Sequence, residues 1–414
     1  MSAMSLIAWT LIAIPLLVTA YAYAGYPLLL AVLARRRGRP PAPPAPAEWP
    51  RVSISLPAYN EEAQIGGAIE SLLALDYPAD RRQILVVSDA SSDGTDDIVR
   101  QYADRGVELL RMPVRGGKTA GENAAAARLT GDIVVNTDAS IRIRPDALKP
   151  LVACFADPTV GVASGRDLSV ARTSEDKNAG EAGYVGYEMK VRALETAVAG
   201  IIGASGCFYA IRSHLHRSPL PAHLSRDFAS ALIAREHGYR SVSVDDAVCF
   251  VPRTTSLHRE YRRKVRTMAR GMQTLQHKSH LLDPRRYGTF AWMLLSHKVA
   301  RWLVPWTAFA GVLGVLLLAV EHPAARLALA VGAGVALLAG AGWLWPESRG
   351  IPRVLAVPAF AVAGNLAAVH AYLRSLSAND DPTWEPTRRE VVLPGVGESR
   401  PAPGIQDPAA AARP

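Results

Sequence analysis

Apolar residues are concentrated at the two ends of the chain, and they constrain its fold more than any other feature. Residues from about 5 to 33 are almost uncharged, and this run of roughly 29 residues exceeds the ~20 that a membrane-spanning helix needs. Arginines follow it directly, at positions 35–37 and 39. A secretory signal would carry its positive charge before a shorter apolar core. We therefore expect a retained transmembrane helix at 1–34 whose far end lies in the cytoplasm.

The carboxyl-terminal third contains three further apolar stretches, at about 304–320, 325–345 and 354–373. Each is near the length of a membrane span. Aromatic anchors and cations just before them, over 286–302, predict an amphipathic helix in the membrane interface. We assign 303–374 to transmembrane helices and 375–414 to a polar, Pro-rich tail. The number of true spans and the side on which the tail ends are left open.

The middle of the chain has the mixed composition of a soluble domain. A Pro-rich basic linker, 35–50, precedes it, and we place the domain itself at 51–285. Short β-branched runs alternate there with helical segments, which predicts an α/β fold with a doubly wound, mostly parallel sheet. The expected strands begin the alternation at 52–56, 84–87, 107–110 and 133–135.

The net charge indicates which kind of partner the protein binds, and the cysteine content indicates its redox compartment. The net charge is +9, and arginines flank the apolar ends, so we expect membrane lipids rather than nucleic acid as a partner. No ladder of aromatic and basic residues of the nucleic-acid-binding kind is present in the sequence. The 3 cysteines lack metal-type spacing, which is typical of buried thiols in a reducing compartment.

Charged residues recur where predicted strands end: Asp89, Lys118, Asp138 and Asp227. Ligands of open α/β sheets collect at the carboxyl ends of the strands, although each of these residues could also serve only as a turn or cap residue. Lys118 opposes the dipole of the helix it begins, and a bound phosphate would explain it. One Asp to bind the edge of a nucleobase, a second to bind a divalent cation and a third to act as the general base together indicate a nucleotide-sugar transferase.

Four segments carry a family resemblance: 52–62, 86–95, 117–118 and 131–140. They resemble family 2 glycosyltransferases, in the family's order and spacing, and the resemblance extends from about residue 52 to about 275. It implies the GT-A fold. The flanking apolar helices resemble the family's integral-membrane branch, which includes the cellulose and hyaluronan synthases.

The resemblance also implies roles for single residues. Asp227 matches the catalytic general base, and Asp138 matches the first acid of a metal-binding Asp-x-Asp motif that ends at Ser140, with Mg²⁺ or Mn²⁺ as cofactor. Nucleotide-sugar binding would fall to Ala58, Glu62, Asp89, Lys118, Asp138, Arg266 and Arg270. The acceptor side would include Tyr184, Glu188, Gly206 and Cys207.

Three departures from the family pattern change these expectations. Ser140 stands where a second metal-binding Asp is usual, and Arg226 replaces the Glu that usually precedes the base. The Gln-x-x-Arg-Trp motif of processive synthases is replaced by the segment 263–271, which contains no Trp. Without a Trp, this segment offers no aromatic face on which an acceptor sugar could stack. This favours a non-processive enzyme that transfers one or a few sugars over one that builds long chains.

We therefore expect a multi-pass enzyme of the inner cell membrane with a cytoplasmic catalytic domain. It would be an inverting glycosyltransferase that moves a sugar from a nucleotide-diphospho-sugar, with UDP as the expected nucleotide, to a lipid-linked or saccharide acceptor. Two alternatives stay open: a processive polysaccharide synthase, and a non-catalytic nucleotide-sugar-binding scaffold of an exopolysaccharide complex.

Overall fold

The structure, a computed structural model, describes most of the chain outside the carboxyl-terminal tail. The described residues are 3–38, 46, 48–170, 179–252, 256–346, 350–376 and 383. Most of the predicted Pro-rich linker, including Arg39, and almost all of the predicted tail lie outside the described residues.

An eight-stranded sheet forms the centre of the described α/β domain, in the order β3-β2-β1-β4-β7-β6-β8-β5. β1, β2, β3 and β4 are parallel to one another, while β7 runs antiparallel to both of its neighbours. This mostly parallel mixed sheet confirms the predicted fold class. The strands are β1 Val52–Ala58, β2 Arg82–Ser88, β3 Val107–Arg111, β4 Ile133–Thr137, β5 Arg142–Ile143, β6 Val160–Val170, β7 Phe208–Arg212 and β8 Arg240–Pro252.

Helices connect these strands and flank the domain. Two of the long helices, α1 and α11, each contain a short π-helical turn, at Tyr21–Gly25 and Leu295–Val299. The helices are α1 Ala3–Arg37, α2 Glu62–Leu73, α3 Thr95–Arg100, α4 Lys118–Ala125, α5 Leu148–Ala153, α6 Ala179–Val198, α7 Ser213–His216, α8 Arg226–Glu236, α9 Leu257–His277, α10 Pro284–Tyr287, α11 Thr289–Ala319, α12 Pro323–Trp343 and α13 Arg353–Leu376.

The sheet is buried on both faces because side chains alternate along its strands. Ile54 and Leu56 of β1 point into one hydrophobic cluster, which they share with Ile69 of α2. Leu85 of β2 and Val134 of β4 point into a second cluster on the other face. The two clusters hold the strands in register, so that the carboxyl ends of β1, β2 and β4 lie at one edge.

The described residues include four helices long and apolar enough to cross a membrane: α1, α11, α12 and α13. α1 packs along α11, and α13 packs against α9 of the α/β domain. The interfacial helix predicted at 286–302 has no helix boundary at its end, because α11 continues through residue 302 to Ala319.

A largely buried ionic cluster joins two of the apolar helices, α1 and α11, to the α/β domain, and we call it the junction cluster. His297 of α11 contacts Glu195 at 2.6 Å through Nδ1 and Glu188 at 3.0 Å through Nε2. Tyr26 of α1 donates to Glu195 at 2.6 Å, and Arg301 of α11 donates to Glu188. Because both glutamates belong to α6, the cluster fixes α1 and α11 against that helix.

We expect Gly314→Ala to separate α1 from α11. A Cβ at Gly314 would lie 2.6 Å from the backbone oxygen of Ala8, and backbone cannot move aside cheaply. Overpacking of this kind costs about 1–3 kcal/mol, which should lower the thermal unfolding temperature of the protein in nanodiscs. Gly332→Ala on α12 is the control, because a Cβ there has no neighbour within 4 Å among the described residues. Equal unfolding temperatures for the two variants would contradict this packing.

Candidate active site

The carboxyl edge of the sheet places Asp89 directly after β2. Its carboxylate accepts hydrogen bonds from the backbone N–H groups of Gly116, at 2.7 Å, and Gly117, at 2.9 Å. The Asp89 N–H donates to the carbonyl of Ala58 at 2.9 Å, so the ends of β1 and β2 are joined. Asp89 is buried, and its carboxylate holds the loop that leads into Lys118.

Glu62 and Asn60 order the neighbouring loop. Glu62 accepts a hydrogen bond from the backbone N–H of Gly94 at 3.2 Å, and Asn60 accepts one from that of Ser92 at 2.8 Å. Asn60 has a φ of 51°, in the left-handed region that Asn tolerates better than most residues. Instead of capping α2, Asn60 therefore ties the loop after β1 to the loop after β2.

Lys118 lies at the centre of the site. Its ammonium donates to Asp138, which follows β4, and to the carbonyl of Gly206 at 3.5 Å. Burial by itself would lower the pKa of Lys118, but the carboxylates of Asp138, Glu122 and Asp227 raise that pKa above its ordinary value. Lys118 is therefore a permanent cation at the point where the loops from several strands meet.

Asp227 lies beside Gly206, in the first turn of α8. A Cβ built on Gly206 would be 2.8 Å from Asp227 Oδ2, which measures how closely the loop approaches the carboxylate. The hydroxyl of Ser225 donates to the other oxygen, Oδ1. One oxygen of Asp227 thus faces the Gly206 loop while the other is held by its own helix terminus.

The three predicted aspartates therefore lie around the same residues, namely Lys118, the loop before it and Gly206. Asp89 holds the loop before Lys118, Asp138 pairs with Lys118, and Asp227 lies against Gly206, whose carbonyl accepts from Lys118. Because they come from separate parts of the chain, it is the fold that brings them together at the carboxyl edge of the sheet.

Arg226 does not stand alone next to Asp227, because Glu122 of α4 compensates its charge. The Nε of Arg226 lies 3.6 Å from Glu122 Oε2, and both side chains are almost fully buried. Arg226 also donates to the carbonyl of His216 at 3.0 Å and to the side chain of Asn123. Glu122 therefore offsets the positive charge that Arg226 introduces next to Asp227.

Glu122 was missed in the sequence, as was Asp167. Burial raises the pKa of Glu122 to about 7, against the opposing effect of Lys118 and Arg226. Burial also raises the pKa of Asp167, which accepts a hydrogen bond from Ser205 at 2.6 Å. Glu122 follows Lys118 by one helical turn, and that i, i+4 spacing was the available signal.

The predicted acceptor-side residues occupy different surroundings. Glu188 belongs to the junction cluster, where His297 and Arg301 hold its carboxylate. Tyr184, one turn earlier on α6, is exposed. Cys207 follows Gly206, and its carbonyl accepts from the Thr137 hydroxyl at 2.8 Å. Gly206 thus borders Asp227 and Cys207 follows it in the chain, whereas Glu188 is bound to the apolar helix α11.

α9 carries Arg266 and Arg270, which lie one turn apart and are half-buried. Arg270 donates to the carbonyl of Thr383 at 3.4 Å. Although the segment 263–271 has no Trp of its own, Trp302 of α11 reaches it, 3.7 Å from a Cβ built on Gly271. A Trp from a different helix therefore lies beside this segment, and whether it offers a stacking face to a sugar stays a prediction.

The protein's own metal ligands at this edge are sparse. Asp138 and Ser140 lie on one turn, in which Ile141 N–H donates to the Asp138 carbonyl at 3.0 Å. Within the described ranges, no group of three or more His, Cys, Asp or Glu could hold a metal ion. Mg²⁺ often binds through one or two carboxylates plus substrate phosphates. The residues therefore fit a cation that shares its ligands with a bound diphosphate, rather than one held by protein alone.

Comparisons with known proteins define the class of the domain. The mannosyltransferase PcManGT from Pyrobaculum calidifontis, solved in complex with GDP-Man and Mn²⁺, superposes with a TM-score of 0.69 at 24% identity, over 89% of this chain and 99% of that one. This likeness establishes a GT-A glycosyltransferase fold.

The sequence then places the domain within that class. Residues 53–215 match the profile described as Glycosyl transferase family 2, so the chain contains a family 2 glycosyltransferase domain. A beta-monoglucosyldiacylglycerol synthase of Synechocystis sp. is 38% identical over 117 residues, 27% of this chain and 24% of that protein. A hyaluronan synthase of Streptococcus pyogenes is 33% identical over 124 residues, 28% of this chain and 29% of that protein. The matches span about a quarter of each relative.

We expect Gly206→Ala to displace the Asp227 carboxylate and to slow sugar transfer about tenfold or more, because a carboxylate predicted to act as the base would lose its hydrogen-bond reach. The unfolding temperature should change little, since the atom that must move ends a flexible side chain. Steady-state transfer rates and thermal unfolding check this. Gly66→Ala, where the nearest atom is 3.6 Å away, is the control. Wild-type transfer by Gly206→Ala would show that this close approach has no role.

Glu122 should make stability depend on pH. Its pKa is raised to about 7 in the folded state, so its contribution is present at low pH and is lost as pH rises from the unfolded pKa, about 4.3, towards 7. Relative to Glu122→Gln, the wild type should lose of the order of 3 kcal/mol between about pH 4 and 8. Unfolding temperatures across this range, with Glu108→Gln as an exposed control, measure the difference. Parallel curves for wild type and Glu122→Gln would contradict it.

Proposed function

We propose that the protein is a membrane-bound inverting glycosyltransferase that moves a sugar from a nucleotide-diphospho-sugar to a lipid-linked or saccharide acceptor. The observation that carries this proposal is the meeting of Lys118, Asp138, Gly206 and Asp227 at the carboxyl edge of the sheet. UDP is the proposed nucleotide, to be tested against GDP.

Donor binding is assigned to the edge formed by β1, β2 and β4. The loop that Asp89 holds presents the start of α4, where Lys118 lies, and an ammonium there suits a diphosphate. Lys118 would offset the negative charge that develops on the departing nucleoside diphosphate. Arg266 and Arg270 are proposed to approach the diphosphate from α9, while Ala58, Glu62 and Asp89 border the nucleoside.

Asp227 is proposed as the general base. Its carboxylate would accept the proton of an acceptor hydroxyl as that oxygen attacks the anomeric carbon. The bond between this carbon and the diphosphate oxygen breaks in the same displacement, so the configuration inverts and no sugar is attached to the protein. The close approach of Gly206 to Asp227 supports this role, because it keeps the carboxylate beside a backbone wall with no side chain.

A divalent cation, Mg²⁺ or Mn²⁺, is proposed to bind at Asp138 and Ser140 together with the donor diphosphate. When bound, it would neutralise charge on the diphosphate oxygens. Lys118 already pairs with Asp138, so one carboxylate is shared between an internal cation and any metal. We therefore expect weaker dependence on the metal than in a site with two aspartates.

A processive polysaccharide synthase is the second candidate, and one observation favours it. Trp302 stands beside α9 at Gly271, next to Arg270, where a stacking face for a sugar could be offered. The length of the product made by the purified protein distinguishes the two candidates. A non-catalytic scaffold is the third reading, suggested by Ser140 and Arg226; Glu122 weakens it, because it restores the charge balance around Arg226.

The membrane assignment of the whole chain is also a proposal. The four apolar helices and the arginines at 35–37, at the end of α1, support a multi-pass protein of the inner membrane with the catalytic domain in the cytoplasm. Lipids would then surround α11, α12 and α13, and a lipid-linked acceptor could reach Asp227 from the side of the membrane helices.

We expect Asp227→Asn to reduce sugar transfer by at least a hundredfold while donor affinity stays within about threefold, because a general base acts in the transition state. Transfer is measured with labelled UDP- and GDP-sugars in membranes, with and without Mg²⁺ or Mn²⁺, and donor binding by calorimetry. Asp104→Asn, at an exposed position, is the control. Unchanged turnover in Asp227→Asn would remove the proposed base, and donor binding without any transfer by the wild type would favour the scaffold.

A further inference from the structure

A cavity of about 900 Å³ lies away from the candidate active site. Thr159, which precedes β6, and Arg240, which begins β8, line it. β6 runs in the same direction as β4, because β7 is antiparallel to both. The starts of β6 and β8 therefore lie at the sheet edge opposite to the one where β4 delivers Asp138.

The cavity is strongly cationic. Among its described lining residues none is acidic, and three lining positions have no side chain, at Gly38, Gly238 and Gly288. Five arginines from separate elements line it: Arg37, Arg235, Arg240, Arg285 and Arg286.

Contacts with the protein orient two of these arginines. Arg240 donates to Asp157 at 2.6 Å and to the Thr159 hydroxyl at 3.1 Å. Arg235 donates to the Tyr287 carbonyl at 3.4 Å. By contrast, the guanidinium groups of Arg37 and Arg285 have no hydrogen-bond or carboxylate partner within the part of the chain that the structure describes. The cavity therefore keeps uncompensated positive charge.

The cavity adjoins the end of α1. Arg37 lies in the last turn of that helix, after the exposed apolar residues Leu28, Leu29 and Val32. The positive charge suits phosphate from either a lipid head group or a dissolved molecule, and nanodiscs of stated composition distinguish the two sources.

We propose that this cavity binds a molecule carrying two or more phosphate groups, in preference to a lipid head group with a single phosphate, at a second site separate from the candidate active site. One guanidinium group can bind two phosphate oxygens at once. Five guanidinium groups around one cavity therefore match a ligand with several phosphates better than one with a single carboxylate. The walls come from α1, α6, α8, α10 and α11. Occupancy would therefore clamp the end of α1 to the catalytic domain.

Inorganic tripolyphosphate is the probe, added without divalent metal to the full-length protein in phosphatidylcholine nanodiscs. The double variant R37Q/R285Q should bind it at least tenfold more weakly than the wild type by calorimetry. R36Q is the matched control, because Arg36 belongs to the same helical turn but does not line the cavity, and it should change affinity less than twofold. Tripolyphosphate should also raise the unfolding temperature of the wild type and of R36Q, but not of R37Q/R285Q.

Two further measurements separate the sources of negative charge. Nanodiscs with about one third phosphatidylglycerol should leave tripolyphosphate affinity within twofold, and a hexaglutamate peptide should compete at least tenfold less well than tripolyphosphate. Equal losses in R36Q and R37Q/R285Q, absence of saturable binding, displacement by the anionic lipid, or equal competition by hexaglutamate would each overturn the proposal. None of these measurements uses sugar transfer, so the proposal can fail or stand independently of the proposed enzyme activity.

Discussion

A single ammonium, that of Lys118, allows several carboxylates at the carboxyl edge of the sheet to lie close together. Asp138, Glu122 and Asp227 all act electrostatically on Lys118, and Asp138 pairs with it directly. Carboxylates this close repel one another unless a cation lies between them, and partial shielding from solvent strengthens both effects. The geometry of the edge, including the loop that Asp89 holds, is therefore organised around the position of one side chain.

The same principle operates where the catalytic domain meets the membrane helices. Glu188 and Glu195 would be costly to bury alone, and they are matched by His297 and Arg301 from α11. Removal of either the glutamates or their partners would leave an uncompensated charge. Ion pairing therefore holds α6 and α11 together in addition to apolar packing. Because α6 also borders the domain interior, the position of the membrane helices and that of the cleft depend on the same helix.

Two departures from the family's motifs are offset by residues that are distant in the sequence. Arg226 occupies a position where an acid is usual, and Glu122 lies 3.6 Å from it. The segment 263–271 lacks the Trp that the family resemblance leads one to expect, and Trp302 lies next to Gly271. In both cases the two residues are more than 30 positions apart in the sequence. The motifs alone therefore suggested that the site lacks an acidic residue and a Trp, although the fold places both nearby.

The order of strands and helices, the parallel character of the sheet and the four apolar helices follow from the sequence, because periodicity and hydrophobic length act locally. The sequence also identified Asp89, Lys118, Asp138 and Asp227 as residues at strand or helix ends. Only the tertiary structure decided what each of them contacts, and it alone revealed the junction cluster and the arginine-lined cavity. These depend on which helices pack together, and charge pairing across a fold is set by that packing rather than by spacing along the chain.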